Sequence, residues 1–179
     1  MERDDYPDEL LLGVLASCRT IAMVGASPNW NRPSYFAMKY LQAKGYRVIP
    51  VNPKAAAAGE AILGESAYAA LADVPGPIDV VDIFRRSDRV GPIVDEAIRL
   101  AADKGIRVVW MQLGVRDDEA AGKAGRAGLS VVMDRCMKIE FGRLSGELSW
   151  GGINSRIISS RRRRMIGGRI GGRVARMIE

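Results

Sequence analysis

The sequence predicts an α/β fold: a doubly wound, five-stranded parallel sheet with helices on both faces. Two observations predict it. Strand-length apolar runs alternate with helical patterns five times along the 179 residues. Each run is also apolar almost throughout, as expected for strands buried on both faces, instead of alternating as in a half-exposed sheet. The expected strand order is 3-2-1-4-5. A ligand then belongs beyond the C-terminal ends of the strands, beside the first one.

The elements follow in order. Pro7 to Cys18 reads as an opening helix, with Pro7 suited to the first helical position and Asp8 and Glu9 to the first turn. Ile21 to Val24 is the core of the first strand, which runs into Gly25-Ala26-Ser27. Pro33 opens a second helix, with Phe36, Ala37, Tyr40 and Leu41 at helical spacing and Gly45 as its stop. Tyr46 to Val51 is the second strand, ended by Asn52-Pro53. Ala55 to Gly64 is weakly patterned, and Ser66 to Leu71 reads as a short helix. After the break Pro75-Gly76-Pro77 comes a third strand, Ile78 to Phe84. Ser87 or Asp88 caps a helix reaching Lys104, with an inward stripe of Val90, Ile93, Val94, Ala97, Ile98 and Ala101. Ile106 to Leu113 is the fourth strand. Asp117-Asp118-Glu119 opens a helix closed by Gly128, and Leu129 to Met133 is the fifth strand. Arg135 to Leu144 reads as the last helix.

The net charge of +6 belongs to one segment. Residues 161–179 carry seven Arg and one Glu, and the remaining residues balance at zero. The chain therefore divides into a neutral domain, 1–160, and an Arg/Gly-rich tail, 161–179, whose glycines oppose a stable helix and which reads as disordered. The tail offers phosphate contact with nucleic acid or an anionic surface, but no interleaved aromatics for base stacking. No apolar run reaches the roughly 18 residues of a membrane span. The acidic start, Met1 to Asp5, has no apolar stretch behind it and does not read as a signal peptide. Cys18 and Cys136 make neither a disulfide framework nor a zinc spacing, which fits a reducing, cytoplasmic setting. There is no histidine. Ser-His and Cys-His nucleophile pairs are thereby excluded, along with the commonest general base and metal ligand.

Strand, small-residue turn and helix start together make an anion site at Gly25 to Ser27. A nicotinamide dinucleotide is the default ligand of such a sheet, and the residues argue against it. Gly25-Ala26-Ser27-Pro28-Asn29-Trp30 keeps only the first of three fingerprint glycines. The second strand ends Val51-Asn52-Pro53-Lys54, where a ribose-binding acid is expected. Lys54 favours a phosphate near the ribose, as in coenzyme A or NADP, and Arg32 can neutralise a pyrophosphate.

Val24-Gly-Ala-Ser-Pro28, Arg32-Pro-Ser-Tyr35 and Val48-Ile-Pro-Val-Asn-Pro-Lys54 resemble the CoA-binding-domain family. The resemblance continues through Ile78-Asp-Val-Val-Asp-Ile-Phe-Arg85, Val109-Trp-Met-Gln-Leu-Gly114 and Val132-Met-Asp-Arg-Cys-Met-Lys138. These are small, mostly bacterial, stand-alone proteins similar to the N-terminal domain of the succinyl-CoA synthetase alpha subunit. The resemblance implies a Rossmann-like fold that holds the ADP portion of CoA or an acyl-CoA. Gly25, Ala26, Ser27 and Arg32 would surround the pyrophosphate. Asn52, Pro53 and Lys54 would meet the ribose or its phosphate, and Phe84, Arg85, Gln112 and Gly114 would line the cleft. The chain departs from the synthetase in having no second domain and no histidine to phosphorylate. Phe141 stands where small relatives often carry a histidine.

Plainer roles compete at several positions. Trp30 and Trp110 read as packing more than adenine stacking, and Cys136 as a buried structural thiol. Asp79 and Asp82, three apart in a strand, fall on opposite faces and do not make a shared acid/base site. Asp134-Arg135 reads as a structural ion pair. The expected function is non-catalytic binding of coenzyme A or an acyl-CoA, with a protein partner not identified. The alternatives are an NADP-type oxidoreductase and nucleic-acid binding through the tail.

Overall fold

The computed structural model describes residues 6–145. The tail at 161–179 and the acidic start lie outside the described residues. Helices α1 (Asp8–Ser17) and α2 (Pro33–Ala43) flank strand β1 (Thr20–Val24), and β2 (Arg47–Val51) follows. A short helix α3 (Pro53–Ala57) leads to a small hairpin of β3 (Ala61–Ile62) and β4 (Glu65–Ser66). Then come β5 (Val80–Ile83), α4 (Val90–Lys104), β6 (Val108–Met111), α5 (Asp118–Arg126), β7 (Ser130–Val132) and α6 (Met137–Leu144).

The five long strands form one sheet in which every pairing is parallel. Its strands are buried on both sides, as the continuous apolar runs require. Alternate residues feed two cores. Ala22, Val24, Val81, Ile83, Val109 and Met111 point toward α4 and α5. Ile21, Met23, Val80 and Trp110 point toward α1, α2 and α6. Burial of these side chains is the main favourable contribution to the fold.

The strand order differs from the expected 3-2-1-4-5. It is β2-β1-β5-β6-β7, so the third predicted strand lies against the first and not beyond the second. The reason is that the outer edge of β2 is already taken. After the hairpin the chain runs beside β2: the Tyr68 N–H donates to the Pro50 carbonyl at 3.0 Å, and the Asn52 N–H to the Tyr68 carbonyl at 2.8 Å. Arg47 lies 4.0 Å from Glu65 across the same edge. Tyr68, Leu71 and Val74 then pack into the core on the α4/α5 face and carry the chain across to β1's free side. Pro50 agrees with this placement, because a residue without an N–H suits an edge strand and not a central one.

The segment 66–71 is not the short helix the sequence suggests; it holds the end of β4 and an isolated parallel bridge between Val51 and Tyr68. Neither Ser87 nor Asp88 caps α4. They form a 3₁₀ turn, Ser87–Arg89, and the Ser87 hydroxyl accepts the Arg116 N–H at 3.0 Å. Leu100 joins Val90, Val94 and Ala97 as a buried residue of α4, with Ile93, Ile98 and Ala101 half-buried beside them. Asp117 caps α5, accepting the Ala120 N–H at 2.9 Å. Arg143 ties α6 to α1 through Asp8 at 2.7 Å and to Glu140 at 2.8 Å. No helix among the described residues is long and apolar enough to cross a membrane.

Candidate functional site

The doubly wound order reverses between β1 and β5, and this is where such sheets open a crevice. Three loops meet there. Gly25 donates its N–H to the Val51 carbonyl at 2.9 Å, and Phe84 donates its N–H to the Val24 carbonyl at 2.8 Å. Gly25 has φ +89°, and a Cβ built on it would run into the Phe84 carbonyl oxygen and lie 2.9 Å from Arg85 Cδ. Only glycine lets the turn after β1 pass this close to the loop after β5.

The turn is held from its other side by Asn52. Its Nδ2 donates to the Ala26 carbonyl at 2.7 Å, and its Oδ1 accepts the Lys54 and Ala55 N–H groups at 3.0 and 3.3 Å. Asn52 thus caps α3 and clamps the first loop, so its side chain positions the site from behind. The Ser27 N–H donates to Ser34 Oγ at 3.2 Å, and Ser27 Oγ accepts the Asn29 N–H at 3.2 Å. Ser34, near the start of α2 and buried, is a supporting residue that sequence reasoning missed. Pro33 is the first residue of α2, so the positive end of an eleven-residue helix faces the same loop.

Arg32, Lys54 and Arg85 follow β1, β2 and β5 and are all exposed. None has an ion-pair partner among the described residues. Arg107 and Arg116, by contrast, are paired, with Asp79 at 2.7 Å and Asp118 at 2.9 Å. Three unneutralised cations around a glycine turn and a helix start make an electropositive cleft. Pro53 is exposed beside Lys54, and Phe84 is half-buried beneath Arg85.

Two predicted cleft residues have further roles. Gln112 is buried, and its Nε2 donates to Asp82 Oδ1 at 2.8 Å. The Gly114 N–H donates to Asp134 Oδ1 at 2.7 Å, which ties the loop after β6 to the one after β7. Asp134, at φ +51°, therefore holds backbone instead of pairing with Arg135, whose guanidinium lies over the Tyr6 ring. Trp110 is packing, as expected, with its indole N–H donating to the Arg135 carbonyl at 2.7 Å. Trp30 is not: it is 70% exposed on the loop beside Arg32. Asp79 and Asp82 do part company. Asp79 accepts the Arg19 and Thr20 N–H groups at 2.7 and 2.9 Å, away from the buried Asp82.

Burial pushes the Cys18 thiol up to about 11 and the Cys136 thiol above its ordinary value, so both are protonated at neutral pH. Phe141 is a core residue, in edge-on contact with Tyr40 and Tyr46 at ring separations of 6.1 and 5.9 Å.

This architecture is that of a doubly wound domain with exposed cations around the crevice at its switch point. The chain belongs to the CoA binding domain family, whose model matches residues 19–142. An uncharacterized Bacillus subtilis protein, YneT, is 36% identical over 126 residues, covering 70% of this chain and 87% of its own. A hypothetical protein of solved structure from Pyrococcus horikoshii is 39% identical, with TM-score 0.72, over 80% of this chain and 99% of that one. A Thermus thermophilus protein is 37% identical, with TM-score 0.71, over 78% and 99%. A dinucleotide-forming acetyl-coenzyme A synthetase from Ca. Korarchaeum cryptofilum shares the fold, at 24% identity and TM-score 0.55. There the likeness spans 68% of this chain and 26% of the synthetase.

Proposed function

We propose that the chain binds coenzyme A, free or as an acyl thioester, through its ADP portion, and that it acts as a binding protein. The observation that carries this reading is the set of unpaired cations, Arg32, Lys54 and Arg85, around the Gly25 turn. Coenzyme A brings a pyrophosphate and a ribose 3′-phosphate, and separate cations suit separate phosphates. Arg32 and the turn at Gly25, Ala26 and Ser27 take the pyrophosphate, assisted by the α2 dipole. Lys54, at the end of β2, takes the ribose phosphate. Phe84, Arg85, Gln112 and Gly114 border the remainder of the ligand. Family membership supports the ligand class. A role in binding is supported by a chain without histidine whose described thiols are both held protonated.

The test is Lys54→Ala. It should weaken coenzyme A by about 1–2 kcal/mol, the worth of one charge-assisted contact, and leave dephospho-coenzyme A unchanged. Equal losses for the two compounds, read by calorimetric titration, would remove Lys54 from the ribose phosphate.

A further inference from the structure

Asp82 is the buried group that this reading leaves unused. It lies on β5 between Met23 of β1 and Trp110 of β6, and it is 0% exposed. A carboxyl there costs folding energy that an apolar side chain would not. Its Oδ1 accepts Gln112 Nε2 at 2.8 Å, while its Oδ2 has no partner. No cation pairs with it among the described residues. The titratable group that senses its charge is the Cys136 thiol, on the turn into α6.

The hydrogen bond decides how the Gln112 amide lies. A carboxylate only accepts, so it turns the amide NH₂ inward and leaves the carbonyl oxygen to the other side. Gln112 is the first residue beyond β6, and its N–H donates to the Ile83 carbonyl at the end of β5 at 3.3 Å, beside the crevice. Its Oε1 has no partner among the described residues, yet it is not sealed from solvent as Asp82 Oδ2 is.

We propose that Asp82 is a positioning residue: its carboxylate holds the Gln112 carbonyl oxygen toward the cleft, where it accepts a hydrogen bond from an amide N–H of the ligand's pantetheine arm. The proposal rests on the coenzyme A reading and extends it past the nucleotide. Protonating Asp82 gives it a donor of its own, and the Gln112 amide is then free to turn over. Burial pushes the carboxyl up to about 7, so the constraint holds above neutral pH and weakens below it.

The experiment compares wild type with Asp82→Asn, whose amide can meet Gln112 in either orientation. Each is titrated with coenzyme A and with adenosine 3′,5′-bisphosphate, which lacks the arm. At pH 8 the variant should bind coenzyme A about 5–10-fold more weakly and the bisphosphate unchanged. Titration of the ligand's own 3′-phosphate lowers affinity for both proteins between pH 8 and pH 6, and over and above that shared loss wild-type affinity for coenzyme A should fall toward the variant's. A wild type that binds neither compound overturns the coenzyme A reading and this proposal together. A wild type that binds both, with a variant that loses both equally or neither, overturns this proposal alone. In the ligand-free protein, the Gln112 side-chain amide resonances should shift with pH in wild type and stay fixed in Asp82→Asn. An amide that does not respond in wild type overturns the positioning role.

Discussion

Gly25→Ala should abolish ligand binding and cost about 2–4 kcal/mol of stability. The cost has two parts. A side chain at φ +89° is strained wherever it stands. The added Cβ would also meet the Phe84 carbonyl and Arg85 Cδ, so the loops after β1 and β5 must separate. Separation carries the turn away from Arg85 and pulls on the Gly25 hydrogen bond to Val51. Gly128→Ala is the matched control: its φ is +85°, but a Cβ there meets nothing within 4 Å. It should cost about 1 kcal/mol, the backbone part alone, and leave binding intact. Denaturant unfolding of the two variants measures the difference. Equal costs would mean that the close approach at Gly25 is not what the site is built on.

Asp82→Asn should make the protein more stable at pH 8 and remove a slope from its stability profile. Burial raises the Asp82 carboxyl to about 7 from its ordinary 3.8, although the hydrogen bond from Gln112 opposes the shift. The folded chain therefore holds a proton that the unfolded chain has lost between those two values. The contribution of Asp82 is fully present below about pH 4 and is lost as pH rises through 7. A shift of this size corresponds to roughly 4 kcal/mol, all of it felt above neutrality. Asparagine keeps the acceptor for Gln112 and has no charge to desolvate. Unfolding free energies of wild type and variant, measured from pH 4 to pH 8, should diverge as pH rises. Parallel profiles would mean that Asp82 stays ionised in the folded protein throughout.

The five long strands were legible because burial on both faces demands unbroken apolar runs, and such runs are hard to mistake. Their order was not, since neighbours in a sheet leave little trace in composition. Pro50 held the clue: a proline in the middle of the second strand fits an edge, which the 3-2-1-4-5 order denies it. The hairpin at 61–66 was invisible because two-residue strands have no period to read. The tail at 161–179, legible only as charge, lies outside the described residues.

At the site, backbone positions were legible and side-chain commitments were not. Gly25 and the strand ends follow from the fold class. The sequence offers no way to see that the Asn52 amide is engaged behind the turn, or that Gln112 reaches back into the sheet. Asp82 did leave a signal, as a charge inside an otherwise apolar strand. In the sequence it reads against Asp79, while its partner is an amide just past the end of the neighbouring strand. Trp30 misled in the opposite direction, because a large aromatic after a strand reads as packing and this one faces solvent.

Calorimetric titration of the purified chain with coenzyme A, dephospho-coenzyme A, NADP and NAD at fixed salt is the decisive test of the ligand. Coenzyme A should bind, removal of its 3′-phosphate should weaken binding, and NAD should not bind. Binding of NADP in preference to coenzyme A, or of none of the four, would contradict the coenzyme A reading.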